Sequence, residues 1–184
     1  MRELGVEALD GEAGFTTLEQ LWVRPTLDIN GLLSGYTGEG AKTVIPAKAM
    51  AKVSMRLVPN QDPDRIKELF TAHVRSLAPP SVKVDVRDLH SGKPWVASLD
   101  HPAMIAAARA IEKGFGKSPV FQREGGSIPI VATFTEILKV PTVLMGFGLP
   151  DENAHAPNEW LDLDNFFAGI KSSAHYLDEV AKAM

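Results

Sequence analysis

The chain has 184 residues, of which 45% are hydrophobic and 23% are charged, a composition typical of soluble globular proteins. Its formal net charge of −4, without any basic run, argues against a nucleic-acid-binding surface. The absence of cysteine excludes disulfides, thiolate metal sites and a cysteine nucleophile. No apolar run is long enough to span a bilayer, so we expect a cytoplasmic protein.

The first half of the chain is predicted to contain two strands, one helix and a third strand. Residues 21–29 are typical of a strand, and residues 51–58 alternate apolar and polar side chains, as a half-buried strand does. Asp62 and Pro63 predict a helix start, and residues 82–86 alternate again. This order predicts an antiparallel sheet with a helix on one face, the last two-thirds of a ferredoxin-like βαβ-βαβ sandwich.

Residues 90–94 (HSGKP) have the composition of a linker, so we predict a domain boundary between residues 1–90 and residues 91–184. The second part alternates helices and short apolar runs, which indicates a parallel α/β layer. Its predicted elements are a helix from Pro102 to about residue 115, a strand at 120–121, a helix at 128–138, a buried strand at 142–147, and a helix capped by Asp162 or Asp164. The apolar positions expected to be buried are Met104, Ile105, Ala108 and Ile111 in the first helix and Leu163, Phe166, Phe167, Ile170, Leu177 and Val180 in the last.

Two segments of the second half are predicted to form the walls of one site. Gly125 and Gly126 allow the backbone to approach a ligand closely, and Ser127 opens a helix whose first N–H groups lack intrahelical partners. Such a turn is suited to a carboxylate or a developing oxyanion. The second wall is the loop at residues 151–159, which follows a predicted strand.

His155 is the best metal-ligand candidate in the chain, because a neutral imidazole suits zinc. The acidic side chains of Asp151, Glu152 and Glu159 could be further ligands or could orient His155. An ordinary exposed loop histidine is the alternative. A catalytic zinc needs about three protein ligands, so His155 alone holds no metal.

Two residues of the first half are candidates for binding a substrate carboxylate. Arg56 lies on the polar face of its predicted strand and could bind a carboxylate through two hydrogen bonds. Thr43 follows a glycine-rich loop and could donate its hydroxyl to the same group. A solvated arginine and an ordinary turn residue are the alternatives. Ser127 has no histidine at a spacing that suggests a catalytic triad, so we interpret its hydroxyl as anion-binding.

Five blocks in this order resemble the co-catalytic zinc peptidases that include aminoacylase, acetylornithine deacetylase and glutamate carboxypeptidase. The resemblance is greatest to the cytosolic non-specific dipeptidase and carnosinase branch, and it covers the chain from about Leu21 to its end. The blocks are residues 38–46 (GEGAKTVIP), 54–59 (SMRLVP), 92–95 (GKPW), 123–129 (REGGSIP), and 154–155 (AH) followed by 158–159 (NE).

The resemblance implies that residues 1–90 are a partial lid, or dimerisation, domain and residues 91–184 the C-terminal part of a catalytic α/β domain. It implies that His155 binds one of two zinc ions, with manganese as the alternative metal. It further implies that a peptide or N-acyl amino acid is held, chiefly by its carboxylate, and hydrolysed. The residues that would contact this substrate are Thr43, Arg56, Gly126 and Ser127.

In the family, the other metal ligands and the glutamate base lie in an N-terminal half that has no counterpart in this sequence. We therefore expect a C-terminal fragment that binds no metal and catalyses nothing by itself, and that dimerises through its lid sheet. A non-catalytic oligomerisation or ligand-binding module is the alternative hypothesis, because a lid sheet lacking a strand leaves an edge open to association.

Overall fold

The structure is a computed structural model that describes residues 5–125 and 128–183. Its backbone divides into two compact units, Met1–Trp95 with Gln122–Pro129, and Val96–Phe121 with Ile130–Met184. Within the described residues no helix is long and apolar enough to cross a membrane. The elements are α1 (Thr17–Val23), β1 (Thr26–Ser34), β2 (Ala49–Arg56), α2 (Pro63–Leu77), α3 (Pro102–Phe115), α4 (Pro129–Leu138) and α5 (Leu163–Ala183).

The sheet of the first unit consists of β1 and β2, paired antiparallel with Thr26 opposite Arg56. The pairing is irregular between Ile29 and Gly31, and β1 then continues to Ser34, beyond the predicted strand end at residue 29. The prediction of a half-buried β2 was wrong, because nearly all its residues are exposed in the described chain. A two-stranded sheet covers neither of its own faces.

The predicted strand at residues 21–29 was wrong at its start, because residues 21–23 belong to helix α1. Thr16 caps this helix: its hydroxyl accepts a hydrogen bond from the Glu19 amide, and the Glu19 carboxylate accepts one from the Thr16 amide. This reciprocal pair satisfies two N–H groups that a helix start leaves open. The cap thereby favours helix over the strand preference of the residues that follow.

Helix α2 begins as predicted, with Asp62 accepting a hydrogen bond from the Arg65 amide and Pro63 in the first helical position. The predicted strand at residues 82–86 was wrong, since these residues pair with no strand in the described chain. An alternating pattern indicates which side chains suit the two faces of a sheet. It does not supply the neighbouring strand whose hydrogen bonds define one.

The core of the second unit is the contact between α3 and α5. Small residues line the buried face of α3, and the predicted stripe was right for Met104 and wrong for Ile105, which is 43% exposed. Alanine side chains let two helix backbones approach closely. The buried positions of α3 are Ala103, Met104, Ala106, Ala107 and Ala110, and those of α5 are Gly169, Ser172 and Glu179.

The apolar stripe predicted for α5 therefore faces away from α3. Phe166, Phe167, Ile170 and Leu177 are 45–71% exposed among the described residues. Their spacing of three, four and seven positions places them on one side of the helix. We call these four residues the α5 stripe. The prediction that they are buried was wrong, because helix periodicity identifies an apolar face without identifying what covers it.

Gly114 of α3 lies against the backbone of α5. A Cβ atom built on Gly114 would lie 2.8 Å from the carbonyl oxygen of Ala168 and 2.9 Å from the amide nitrogen of Ser172, both in α5. Nearby, the buried carboxylate of Glu179 accepts a hydrogen bond from Lys113, and Arg109 lies 4.0 Å from it. The Lys113 hydrogen bond holds the pKa of Glu179 below its ordinary value of 4.5.

The predicted strands at 120–121 and 142–147 are not paired in the described chain, whose only sheet is β1–β2. Within the described part of residues 91–184 the strands of the expected parallel layer are therefore unpaired, whereas the mixed α/β fold class predicted for the chain is confirmed by its sheet and helices. Helices α4 and α5 were predicted correctly, and Asp162 is the residue that caps α5, accepting a hydrogen bond from the Asn165 amide. The assignment of the two parts to a lid and a catalytic domain stays a prediction.

Candidate functional site

His155 lies in the loop that connects the unpaired segment at 142–147 to helix α5. Three residues of this loop that are not glycine have left-handed backbone conformations: Asn153 with φ 53°, His155 with φ 64° and Asn158 with φ 60°. Asparagine and histidine adopt this conformation more often than most other residues, although it is uncommon for any residue except glycine. The His155 side chain is exposed to solvent. The imidazole is therefore accessible to a metal ion.

The acidic residues around His155 have their own structural contacts. The Glu152 carboxylate lies 3.4 Å from the amide nitrogen of Asp162, and its other oxygen would be 2.6 Å from a Cβ atom built on Gly148. The Glu152 side chain thus packs against Gly148 and reaches the start of α5, so it links the two ends of the loop. The contact of Asp151 is made by its backbone, whose carbonyl oxygen accepts a hydrogen bond from the Trp160 indole at 2.9 Å.

The described residues fit one ligand of a metal centre and not a whole centre. Across residues 5–125 and 128–183, no three His, Asp or Glu side chains come together in a way that could hold a metal ion. Among His155, Thr43, Arg56, Gly126 and Ser127, only His155 has a side chain of a type that commonly binds zinc. Any zinc bound here would need ligands from outside the described residues.

Thr43 lies on the segment between β1 and β2, at the centre of a tight turn in which the Val44 amide donates to the Lys42 carbonyl at 3.1 Å. The preceding loop folds around Tyr36, whose hydroxyl donates to the Glu39 carbonyl at 3.2 Å, while the Lys42 ammonium lies 5.2 Å from the ring centre. The glycine-rich loop is therefore held by its own side chains. Thr43 is exposed at its end.

Arg56 is the last residue of β2 and pairs with Thr26, the first residue of β1. The Arg56 amide lies 3.4 Å from the Thr26 hydroxyl, which in turn donates to the Asp28 carboxylate at 2.8 Å. The backbone of Arg56 is anchored by the sheet, and the residue is exposed. An arginine at a strand end combines a fixed backbone with a long cationic side chain, as carboxylate binding requires.

Gly126 and Ser127, the remaining predicted substrate contacts, lie outside the described residues. Their neighbour Gly125 is described: a Cβ atom built on it would lie 2.6 Å from the carbonyl oxygen of Leu21. A glycine is therefore required at residue 125 by the close approach of α1, which the sequence pattern alone did not indicate.

Thr43 and Arg56 belong to the first unit, whereas His155 belongs to the second. The predicted proximity of His155 to the glycine–serine turn stays a prediction.

Two residues with clear structural roles near these positions were missed or assigned only in part. Trp160 was not singled out, although a tryptophan at the end of a polar loop is a signal, because its indole N–H needs an acceptor. His101 caps helix α3 through its Nδ1 atom, which accepts a hydrogen bond from the Ala103 amide at 3.1 Å.

Comparisons with known proteins agree over most of the chain. The family model described as "Peptidase family M20/M25/M40" matches residues 12–179, a range that contains all five predicted site positions. The chain is 41% identical over 168 residues to the Cys-Gly metallodipeptidase dug1 of Schizosaccharomyces pombe, covering 90% of this chain and 35% of the relative. It is 34% identical over 168 residues to the human Beta-Ala-His dipeptidase, covering 90% of this chain and 33% of the relative.

A solved structure extends the similarity from sequence to backbone. The M20 family metallo-carboxypeptidase Sso-CP2 from Sulfolobus solfataricus superposes with a TM-score of 0.82 at 30% identity, covering 97% of this chain and 41% of that protein. The chain spans only 33–35% of the length of the two curated relatives. Similarity of this kind identifies a family for the chain and leaves the activity of a whole protein to be proposed.

Proposed function

The chain belongs to the peptidase family M20/M25/M40, and we propose that it is the substrate-binding portion of a zinc-dependent dipeptidase. The observation that carries this proposal is the family match across residues 12–179, within which every predicted site residue falls. The names of the relatives suggest the substrate class, a dipeptide such as cysteinylglycine or β-alanylhistidine. An N-acyl amino acid is the related alternative, since it presents the same carboxylate next to an amide bond.

The proposed roles follow from the chemistry of each side chain. Arg56 and Thr43 bind the substrate carboxylate by charge and by hydrogen bond, and Gly126 and Ser127 contribute backbone and hydroxyl donors before helix α4. His155 contributes one metal ligand. Zinc, or manganese in its place, would supply Lewis-acid activation of the scissile amide when bound. The other ligands and the general base come from outside this chain.

The exposed α5 stripe supports the proposal that further protein covers the second unit. An apolar groove of about 360 Å³ lies beside it, lined by Phe147, Gly148, Leu161, Phe166, Gly169, Ile170 and Ser173. A contiguous apolar surface of this kind is typical of an interface. We infer that residues 91–184 are the C-terminal part of the catalytic domain and that the remaining catalytic segment packs on this face.

The exposed sheet supports a second proposal, a homodimer formed through residues 1–90 as a lid domain. Leu27, Ile29 and Leu32 of β1 are 55%, 66% and 78% exposed, and a two-stranded sheet has two open edges. The same surface favours the alternative function, a non-catalytic oligomerisation module. Light scattering at several concentrations tests both, because a chain that stays monomeric at high concentration contradicts association through the sheet.

A chimera tests the dipeptidase proposal, with this chain replacing the matching 168-residue region of the S. pombe metallodipeptidase. We expect the chain alone to hydrolyse no dipeptide with zinc or manganese, and the chimera to hydrolyse cysteinylglycine. His155→Ala should abolish this activity, with His90→Ala as the control histidine. Turnover by the isolated chain, or an active His155→Ala chimera, would contradict the assignment.

The carboxylate role of Arg56 has its own readout in the same chimera. Arg56→Ala should raise KM by about tenfold to a hundredfold, the loss that removal of one charged hydrogen bond produces. Lys52→Ala, an exposed cation in the same strand, should leave KM unchanged. An Arg56→Ala variant whose KM equals that of Lys52→Ala would refute carboxylate binding by Arg56.

A further inference from the structure

The backbone of the loop that carries His155 has an unfavourable conformational energy, which contacts at the ends of the loop must offset. His155, Asn153 and Asn158 are all left-handed within six residues, and a histidine in this conformation is less stable than in the extended or helical regions by about 1 kcal/mol. The Ala156 amide donates a hydrogen bond to the Asn153 carbonyl at 2.8 Å, which closes a four-residue turn that contains His155. One exposed turn is a weak restraint, so contacts at the base of the loop must maintain it.

Trp160 supplies those contacts. Its amide donates to the carbonyl oxygen of Glu152 at 3.0 Å, and its indole Nε1–H donates to the carbonyl oxygen of Asp151 at 2.9 Å. Two successive carbonyls at the start of the loop therefore bond to a single residue at its end. We call this pair of hydrogen bonds the Trp160 clamp.

The clamp is connected to helix α5 by the residues on either side of it. The Asp162 amide, two residues beyond Trp160, lies 3.4 Å from the Glu152 carboxylate, and the Asn165 side chain donates to the carbonyl oxygen of Phe147 at 3.1 Å. The segments entering and leaving the loop are thus both fixed to the first turn of α5. The two ends of the loop are therefore held together, and His155 lies in the exposed segment between them.

We propose that Trp160 is a positioning residue for the His155 imidazole, an inference that rests on the proposed role of His155 as a metal ligand. The clamp closes the loop and so keeps His155 in its left-handed conformation before any metal arrives. A ligand whose place is already set loses less conformational entropy on binding, and the affinity for metal rises accordingly.

The substitution Trp160→Phe isolates the indole hydrogen bond. It keeps an aromatic ring and the backbone bond to Glu152, and it removes only the Nε1–H donor to Asp151. Trp22→Phe is the control for loss of an indole, since Trp22 lies in α1 of the other unit. Both variants lose one indole and gain one phenyl ring.

Amide hydrogen exchange of this chain tests the clamp without metal or activity. In Trp160→Phe the amides of Ala156 and residue 160 should exchange about fivefold faster, as expected for the loss of one hydrogen bond. The amides in the contact between α3 and α5 should keep their rates. Unchanged exchange at Ala156 overturns the clamp, and so does an equal acceleration throughout α3 and α5, because that result indicates a loss of global stability.

Zinc affinity of the chimera tests the positioning role. Competition with a chelator should give a zinc affinity roughly tenfold lower in Trp160→Phe, as for other residues that orient a metal ligand, and an unchanged affinity in Trp22→Phe. Faster loop exchange with unchanged zinc affinity would overturn positioning while leaving the proposed function intact. A chimera without zinc and without activity would overturn the proposed function, and with it the role of Trp160.

Discussion

Substituting Gly114 by alanine should destabilise the second unit by forcing α3 and α5 apart. The added methyl group would stand 2.8 Å from the Ala168 carbonyl oxygen and 2.9 Å from the Ser172 amide nitrogen. Both are backbone atoms of a helix and cannot rotate away, so α5 must shift by several tenths of an ångström. Overpacking of this kind costs about 1–3 kcal/mol. The helix preference of alanine over glycine offsets at most about 1 kcal/mol.

The net expectation for Gly114→Ala is therefore a loss of about 1–2 kcal/mol in the free energy of unfolding. Urea denaturation followed by far-ultraviolet circular dichroism measures it, because α3 and α5 contribute much of the helix signal. Gly146→Ala is the control, since a Cβ atom there meets no heavy atom within 4 Å. The added methyl group would also overlap the Ser172 hydroxyl. In a Ser172→Ala background, Gly114→Ala should still lower the free energy of unfolding relative to Ser172→Ala alone, because the backbone atoms of α5 remain.

Equal stability of the Gly114→Ala and Gly146→Ala chains would refute the reasoning, since it would mean that the two helices have room for a methyl group. Equal stability of the Gly114→Ala/Ser172→Ala chain and the Ser172→Ala chain would also contradict it. In that case the hydroxyl, and not the α5 backbone, would limit the approach of the helices.

Removing the Ser172 hydroxyl alone should stabilise the unit by about 1 kcal/mol, because this buried oxygen has no hydrogen-bond partner within the described chain; thermal unfolding of Ser172→Ala measures it. Acid should destabilise the same unit, because the pKa of Glu179 is lowered by its hydrogen bond from Lys113. Its contribution is complete above about pH 4.5 and is lost as pH falls through the lower folded-state pKa. Urea midpoints against pH should show a shallower acid decline for Glu179→Gln. Gly125→Ala should lower kcat/KM of the chimera by about tenfold, because its methyl group would meet the Leu21 carbonyl oxygen at 2.6 Å; activity equal to that of the Gly146→Ala chimera would contradict this.

The helix starts were predictable because the chemistry that forms them is local. Asp62, His101 and Asp162 each accept a hydrogen bond from an amide two or three residues ahead, so the signal and its structural effect lie within one turn of chain. The family blocks were predictable for a related reason. They are short runs of adjacent residues, so their residue types and their order can be recognised in the sequence without knowing what they contact in the structure.

The strands were predicted poorly because pairing is not a local property. Residues 82–86 and 142–147 have the alternating or continuous apolar patterns of strands, and neither pairs in the described chain. A strand exists through hydrogen bonds to another segment, and the pattern of one segment contains no information about the presence of its neighbour. At residues 21–23 a strand was predicted and a helix is observed, because the capping box at Thr16 starts a helix that extends into residues that favour a strand.

The sequence by itself determined the family, the residue types of the candidate site and the helix starts, because each depends on residues that are adjacent in the chain. Only the tertiary structure decided which face of α5 is buried, that Gly114 and Gly125 are required by close backbone approach, and that Trp160 closes the loop around His155. The physical reason is common to all three. Each depends on the distance between atoms of separate segments, and sequence periodicity describes one segment at a time.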